Sequence, residues 1–85
     1  MACKDPIQPI LFDIEQEVKR AKKIHPFFPL DAVGRCSIMA EEAGEAVKAA
    51  NQLVWEDGNR ENLKIELTQT AAMCVRILEA MENEE

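Results

Sequence analysis

The stretch AVKAANQLVWEDGNRENLKIEL, residues 46–67, decides the fold class because it places two helical patterns on either side of a short polar joint. In this joint, Gly58 suits the left-handed backbone position that follows a helix, and Asn59 suits the N-cap of the next helix. A joint this short turns the chain back on itself. The stretch therefore predicts an antiparallel helical hairpin.

The rest of the chain extends this pattern to three helices. Apolar residues recur at spacings of three and four, which predicts helices over residues 8–24, 31–55 and 60–81. Asp31 is the expected N-cap of the second helix. The segment HPFFP, residues 25–29, ends the first helix because a proline disfavours helical backbone in the residue before it.

Each helix carries an apolar stripe that we expect to face the core. On the first helix it is Ile10, Leu11, Ile14, Val18, Ala21 and Ile24. On the second it is Val33, Cys36, Ala40, Ala43, Val47, Ala50 and Val54. On the third it is Leu63, Leu67, Ala71, Cys74, Leu78 and Met81. The third helix has a second apolar row beside this stripe, so it needs partners on several sides. We therefore expect an all-α, three-helix subunit that assembles into an oligomeric helical bundle, as a homodimer or homotetramer.

Length and charge limit the function classes. With 85 residues the chain is expected to form one helical domain, with residues 1–8 and 82–85 as flexible tails. The net charge of -6 argues against nucleic acid and anionic membrane as partners. The N-terminal residues lack the basic and apolar regions of a signal peptide, so we expect a cytoplasmic protein. Cys3, Cys36 and Cys74 lack metal-ligand spacing, and the last two are expected to be buried thiols.

Acidic residues interrupt the small apolar residues of MAEEAGEAVKAANQ, residues 39–52. Glu42 and Glu45 share one helix face, and Glu66 and Gln69 repeat their spacing on the next helix. The predicted hairpin can bring the two pairs together, and oxygen donors of this kind are those that Mg²⁺ prefers. A solvated acidic face is the alternative interpretation. A di-iron carboxylate bundle is excluded because its Glu-x-x-His ligands are missing.

The same residues resemble the MazG-like all-α nucleoside triphosphate pyrophosphohydrolase superfamily. That superfamily carries Glu-Glu-x-x-Glu on one helix and Glu-x-x-Asp on the next. Here Glu41-Glu42-Ala43-Gly44-Glu45 matches the first motif, and Glu66-Leu67-Thr68-Gln69 matches the second except at Gln69. The resemblance spans residues 10–81. It implies Mg²⁺-dependent cleavage of NTP or dNTP between the α and β phosphates, which clears non-standard or surplus nucleotides.

The resemblance also implies roles for individual residues. The ligands of Mg²⁺, or of Mn²⁺, would be Glu42, Glu45, Glu66 and Gln69. Glu41 and Glu42 would be catalytic, with Glu41 orienting the attacking water or supporting the metal ligands. The expected substrate-binding residues are Lys48, Arg76, Asn62, Phe28 and Trp55. The two basic residues are alternatively surface or interfacial ion pairs, and the aromatic residues alternatively cover one end of the bundle.

Gln69 leaves a second function open, because an amide brings no charge to a cation site. The alternative to the enzyme is a non-catalytic helical oligomer that serves as a nucleotide-binding or protein-interaction module.

Overall fold

The fold was taken from a computed structural model, which describes residues 5–84. This part of the chain contains three helices and no strand: α1 is Ile7–Ile24, α2 is Ala32–Trp55 and α3 is Arg60–Asn83. The all-α prediction is therefore confirmed at this level. None of the three described helices combines the length and apolar character needed to cross a membrane.

Side-chain caps define where two of the helices begin. The Asp31 carboxylate Oδ1 accepts a hydrogen bond from the backbone N–H of Gly34 at 2.7 Å. Helix α2 starts at Ala32, directly after Asp31. The Asn59 side-chain oxygen accepts one from the backbone N–H of Asn62 at 2.8 Å and starts α3 in the same way. Each cap satisfies a backbone donor that the helix itself leaves free. Both predicted N-caps are confirmed.

The outer helix ends differ slightly from the prediction. The first helix begins at Ile7, whose backbone N–H donates to the Asp5 carboxylate at 2.9 Å, rather than at residue 8. The third helix continues to Asn83, two residues beyond the predicted end. Residues 7, 8, 82 and 83, which were expected in the tails, are therefore helical. Residues 1–4, with Cys3, and residue 85 lie outside the described residues.

Helix α3 lies at the centre of the fold. It packs against both α1 and α2, whereas α1 and α2 do not pack against each other within residues 5–84. The core is small and consists of Val18, Ala21, Ala46, Ala49, Ala72 and Ile77. The Cα positions extend over 43 × 35 × 19 Å, so the thinnest dimension is much smaller than the other two. The chain forms a thin helical layer.

The apolar stripes predicted for α2 and α3 do not form this core. Val47 and Leu67, near the middle of the two stripes, are 61% and 52% exposed. Cys36 and Cys74 are exposed free thiols, so the prediction that they are buried is wrong. Helix α2 approaches α3 through Ala46 and Ala49 instead. Alanine allows helix backbones to come close together, which turns the larger side chains of the stripe away from α3.

Two buried arginines hold the loop between α1 and α2. The guanidinium carbons of Arg76 and Arg35 lie 4.5 Å and 5.7 Å from the centre of the Phe28 ring. Arg76 Nη2 donates to the carbonyl of His25, and Arg35 Nε donates to the carbonyl of Pro29 at 2.7 Å. The two side chains therefore hold the loop at its first residue, His25, and at Pro29.

Candidate functional site

A cleft between α2 and α3 collects four of the predicted site residues. It measures about 270 Å³ and is lined by Glu45, Lys48, Ala49, Gln52, Asn62 and Glu66. On α2, Lys48 and Ala49 each lie three or four residues from both Glu45 and Gln52, and on α3 Asn62 and Glu66 are four residues apart, so each set lies on one helix face. Glu45, from the acidic pair on α2, and Glu66, from the pair on α3, thus face the same cleft. Lys48 and the Asn62 amide line it beside them.

Glu42 lies next to this cleft and is half-buried. Burial raises the pKa of its carboxyl above the ordinary value of 4.5, and the negative charges of Glu66, Glu45, Glu17 and Glu41 raise it further, in that order. The carboxylates of three helices are therefore electrostatic neighbours. We call Glu42 and the three carboxylates from three helices that raise its pKa most, Glu66, Glu45 and Glu17, the acidic crease.

The carboxylates of the acidic crease suit a hard cation in their chemistry, because Mg²⁺ prefers oxygen ligands of this kind. The negative charges that raise the pKa of Glu42 also repel one another, and a bound cation would reduce this repulsion. The side chains, however, are not assembled as a metal site. Within residues 5–84, no three His, Cys, Asp or Glu side chains are grouped closely enough to hold a metal ion. Binding would require the carboxylates to turn toward one another.

Gln69 lines a different cleft, between α1 and α3. This cleft measures about 240 Å³ and is lined by Asp13, Glu17, Glu61, Lys64, Ile65, Thr68 and Gln69. Glu17 was not among the residues that the sequence indicated. Its carboxylate accepts hydrogen bonds from Nε and Nη2 of Arg20 at 2.8 and 2.6 Å, one turn further along α1. No motif marks Glu17, because its position beside Gln69 depends on how α1 packs.

The other predicted substrate residues lie elsewhere. Arg76 and Phe28 line a third cleft of about 310 Å³ near the end of α3, and both are engaged in holding the loop. Trp55 is 79% exposed at the last residue of α2. Glu41 is exposed on α2, although its charge contributes to the raised pKa of Glu42. The substrate roles of Arg76, Phe28 and Trp55 and the catalytic role of Glu41 stay predictions.

The raised pKa of Glu42 predicts a pH-dependent effect of Glu42→Gln on stability. A raised pKa means that the folded state binds the proton more tightly than the unfolded state does. The resulting stability is present below the unfolded pKa and is lost as the pH rises through the folded value. We therefore expect Glu42→Gln to raise Tm by about a few degrees at pH 7 and to give no gain at pH 3. Thermal unfolding followed by circular dichroism measures the difference.

Glu15→Gln is the matched control for this measurement. Glu15 is exposed on α1 and pairs with Lys19 at 3.7 Å, so its removal eliminates an attraction rather than a repulsion. We expect no gain from it at neutral pH. Equal gains from both substitutions would show that the protein responds only to its net charge.

Comparisons with known proteins do not assign this site. No protein-family model matches the chain, and neither the curated proteins nor the solved structures contain a significant match. The MazG-like resemblance therefore rests on the quoted residues alone, and the function is inferred from the site itself.

Proposed function

We propose that the protein is a Mg²⁺-dependent nucleoside triphosphate pyrophosphohydrolase, which converts NTP or dNTP to the monophosphate and pyrophosphate. The cleft that Glu45 and Glu66 share with Lys48 and Asn62 carries this proposal. Such a cleft combines carboxylates for a cation with a lysine and an amide for phosphate oxygens. A solvated acidic face alone would not need the basic and amide groups between its acids.

In this proposal Glu42, Glu45, Glu66 and Gln69 hold Mg²⁺ or Mn²⁺. The bound ion supplies positive charge that neutralises the phosphate oxygens and polarises the anhydride. Gln69 is the weakest of the four because it is neutral and lines the neighbouring cleft between α1 and α3. Glu17 lines that cleft as well and adds a carboxylate close to the amide.

The remaining residues act directly on the nucleotide. The Lys48 ammonium donates to phosphate oxygens as a compact positive charge, and the Asn62 side chain donates through its amide. Glu41 orients the attacking water or supports the metal ligands. Phe28 and Arg76 contact the nucleotide only if they give up part of their present contacts with the loop, and Trp55 stacks on the base from the end of α2.

Self-association and a cytoplasmic location belong to the same proposal.

We also propose that α2 and α3 form an antiparallel hairpin. Arg35, in the first turn of α2, pairs with Glu84 after the end of α3 at 2.6 Å. Gln52, near the other end of α2, shares a cleft with Asn62 in the first turn of α3.

In the proposed assembly the chain pairs with a second copy of itself, in a homodimer or a homotetramer.

A non-catalytic nucleotide-binding or protein-interaction module is the second candidate. Two observations favour it: Gln69 faces a different cleft from Glu45, and the described acids are not grouped as a metal site. A module of this kind needs nucleotide or partner affinity but no hydrolysis.

A panel of NTPs and dNTPs with Mg²⁺ distinguishes these functions when pyrophosphate and orthophosphate are detected separately. We expect release of pyrophosphate, with the monophosphate as the other product. Glu45→Gln should lower this release at least about 100-fold, because it removes a charged ligand of the cation that would neutralise the phosphate oxygens. Glu15→Gln, on an exposed face of α1, should leave the rate unchanged.

The melting temperature supplies a readout that does not depend on turnover. A ligand that binds only the folded state adds about 2.7 kcal/mol at a hundredfold excess over Kd. Mg²⁺ should raise Tm in the native protein and have little effect in Glu45→Gln. A nucleotide-dependent rise in Tm without pyrophosphate would favour the binding module. No response to Mg²⁺ or nucleotide would contradict both the enzyme and the nucleotide-binding module and would leave the protein-interaction module.

A further inference from the structure

The cleft near the end of α3 lies where α1, the loop after it and α3 meet. It is lined by Lys22 of α1, by Pro26 and Phe28 of the loop, and by Arg76, Glu79 and Asn83 of α3. Its volume of about 310 Å³ corresponds to about ten water molecules of about 30 Å³ each, which leaves room for a small ligand.

The two arginines on the Phe28 ring differ in their charge partners. Arg35 and Arg76 are 6% and 7% exposed, so both guanidinium groups are buried. Arg35 Nη1 lies 2.6 Å from a carboxylate oxygen of Glu84. Arg76 has no ion pair within the described part of the chain. A buried charge is costly unless it is paired, so Arg76 lacks the counter-charge that Arg35 has.

The contacts that Arg76 does make leave most of its charge uncompensated. The His25 carbonyl that accepts from Nη2 is neutral, and the end of α1 contributes only about half a negative charge. The ring of Phe28 offers a weak attraction rather than a full charge. An anion in the cleft would supply what these three contacts do not.

Some donors of Arg76 remain open to such an anion. A guanidinium carries five N–H groups, and the bond to His25 uses one of them. Within residues 5–84 no side-chain nitrogen or oxygen is sealed inside the protein without a hydrogen-bond partner. The Arg76 nitrogens that lack a partner therefore reach open space, and Arg76 lines this cleft.

Lys22 places a second positive charge in the same cleft. Its Nζ lies 2.8 Å from Oε1 of Glu79, and both side chains are about half exposed. An ion pair that water reaches in this way is weak. An anion that contacts Arg76 can therefore compete with Glu79 for the Lys22 ammonium.

We propose that this cleft binds a phosphate-type oxyanion between Arg76 and Lys22. The planar guanidinium can donate two parallel hydrogen bonds to phosphate oxygens, and the ammonium adds a compact positive charge. The Asn83 side chain lines the cleft as well and carries an amide donor. An anion held in this way would join α1 to α3 across the loop.

This site is separate from the acidic crease and goes beyond the proposed function. Arg76 lies ten residues after Glu66 on α3, which is about 15 Å along the helix. In the proposed function Arg76 would leave the loop to reach the nucleotide, whereas here it binds an anion without leaving the loop. The inference therefore requires neither Mg²⁺ nor hydrolysis.

Isothermal titration calorimetry of the full chain tests the proposal, with orthophosphate in Mg²⁺-free buffer at constant ionic strength. We expect saturable binding in the native protein. Lys22→Gln should weaken it about threefold, because it removes a donor to the anion. Glu79→Gln should tighten it by a similar factor, because it removes the group that competes for Lys22. Neither substitution disturbs Arg76 or its contacts with the loop.

The ion pair between Lys64 and Glu61 supplies the matched controls, because it joins the same two residue types at the other end of α3, at 3.8 Å. Lys64→Gln and Glu61→Gln change the net charge as the two test variants do, and they should leave the affinity for phosphate unchanged. Equal weakening by Lys64→Gln and Lys22→Gln would show a response to net charge alone and would overturn the site.

A nucleoside monophosphate, titrated in parallel, distinguishes free phosphate from phosphate carried by a larger molecule. Binding of orthophosphate identifies the free anion as sufficient, and binding of the monophosphate alone assigns the site to a phosphate group on a larger ligand. Absence of saturable binding by both would overturn the proposal.

Proteolysis gives a readout that does not depend on the heat of binding. Phe27 is 92% exposed and lies between Pro26 and Phe28, which both line the cleft. Phosphate should slow chymotrypsin cleavage after Phe27 in the native protein but not in Lys22→Gln. Equal slowing in both proteins would mean that phosphate acts through the solvent, as excluded salts do, and would contradict a bound anion.

Discussion

Arg76→Ala is expected to lower Tm by roughly 10–20 °C, which corresponds to about 2–3 kcal/mol for a domain of this length. The Arg76 side chain is 7% exposed, donates to the His25 carbonyl and covers the Phe28 ring. Its removal leaves the His25 carbonyl without its donor and takes away part of the packing on the Phe28 ring, and both effects destabilise the folded state. The carbonyl belongs to the residue that follows α1, where a positive charge also complements the helix dipole.

Thermal unfolding and limited proteolysis measure this effect. Arg60→Ala, at the exposed first residue of α3, is the control and should change stability by no more than about 0.5 kcal/mol. Arg76→Lys keeps the charge and loses the planar fork, so it should give an intermediate loss. Chymotrypsin should cleave after Phe27 faster in Arg76→Ala. Equal stability of the Arg76 and Arg60 alanine variants would contradict the structural role of Arg76.

Gly58→Ala is expected to destabilise the turn between α2 and α3 by about 1–3 kcal/mol. An added Cβ would lie 2.8 Å from the carbonyl carbon of Gln52 and 2.9 Å from its Cβ. The turn cannot move away freely, because the backbone N–H groups of Glu56 and Gly58 both donate to the Gln52 carbonyl at 3.0 Å. Gly58 has no positive φ, so the predicted left-handed role is wrong. Glycine is needed here for a close approach between backbone segments.

Gly44→Ala is the matched control, with the opposite sign. Gly44 lies inside α2, and an added Cβ would meet no atom of the chain within 4 Å. Alanine should stabilise the helix by about 0.5–1 kcal/mol because it has less conformational freedom to lose on folding. Chemical denaturation of the two variants compares the effects directly. If both substitutions shift the midpoint in the same direction, the contact at Gly58 does not control the stability of the turn.

The starts of α2 and α3 were predictable because they depend on local chemistry. Asp31 and Asn59 each accept a backbone hydrogen bond from a residue three positions later. The prolines at 26 and 29 act on their immediate neighbours in the same way. The start of α1 was missed by one residue, since Pro9 and the Asp5 side chain offer competing ways to begin a helix.

The candidate site was predictable where it depends on helical spacing. Glu45 and Glu66 face a common cleft, as the repeated spacing of acids on neighbouring helices indicated. Glu17 was not predictable, because its position beside the other acids requires the packing of α1 along α3. The division of Gln69 and Glu45 between two clefts likewise depends on where α1 lies.

The sequence by itself determined three amphipathic helices, two of their caps and the acidic pattern, because each depends on residues within about one turn of one another. Only the tertiary structure decided which helix faces meet. Periodicity shows that a face is apolar, but the hydrophobic effect has no direction and does not select the surface that covers it. Ala46 and Ala49 let α2 approach α3 closely, and Arg76 fixes the loop that positions α1. The larger stripe with Val47 and Leu67 is consequently left outside the core of the single chain.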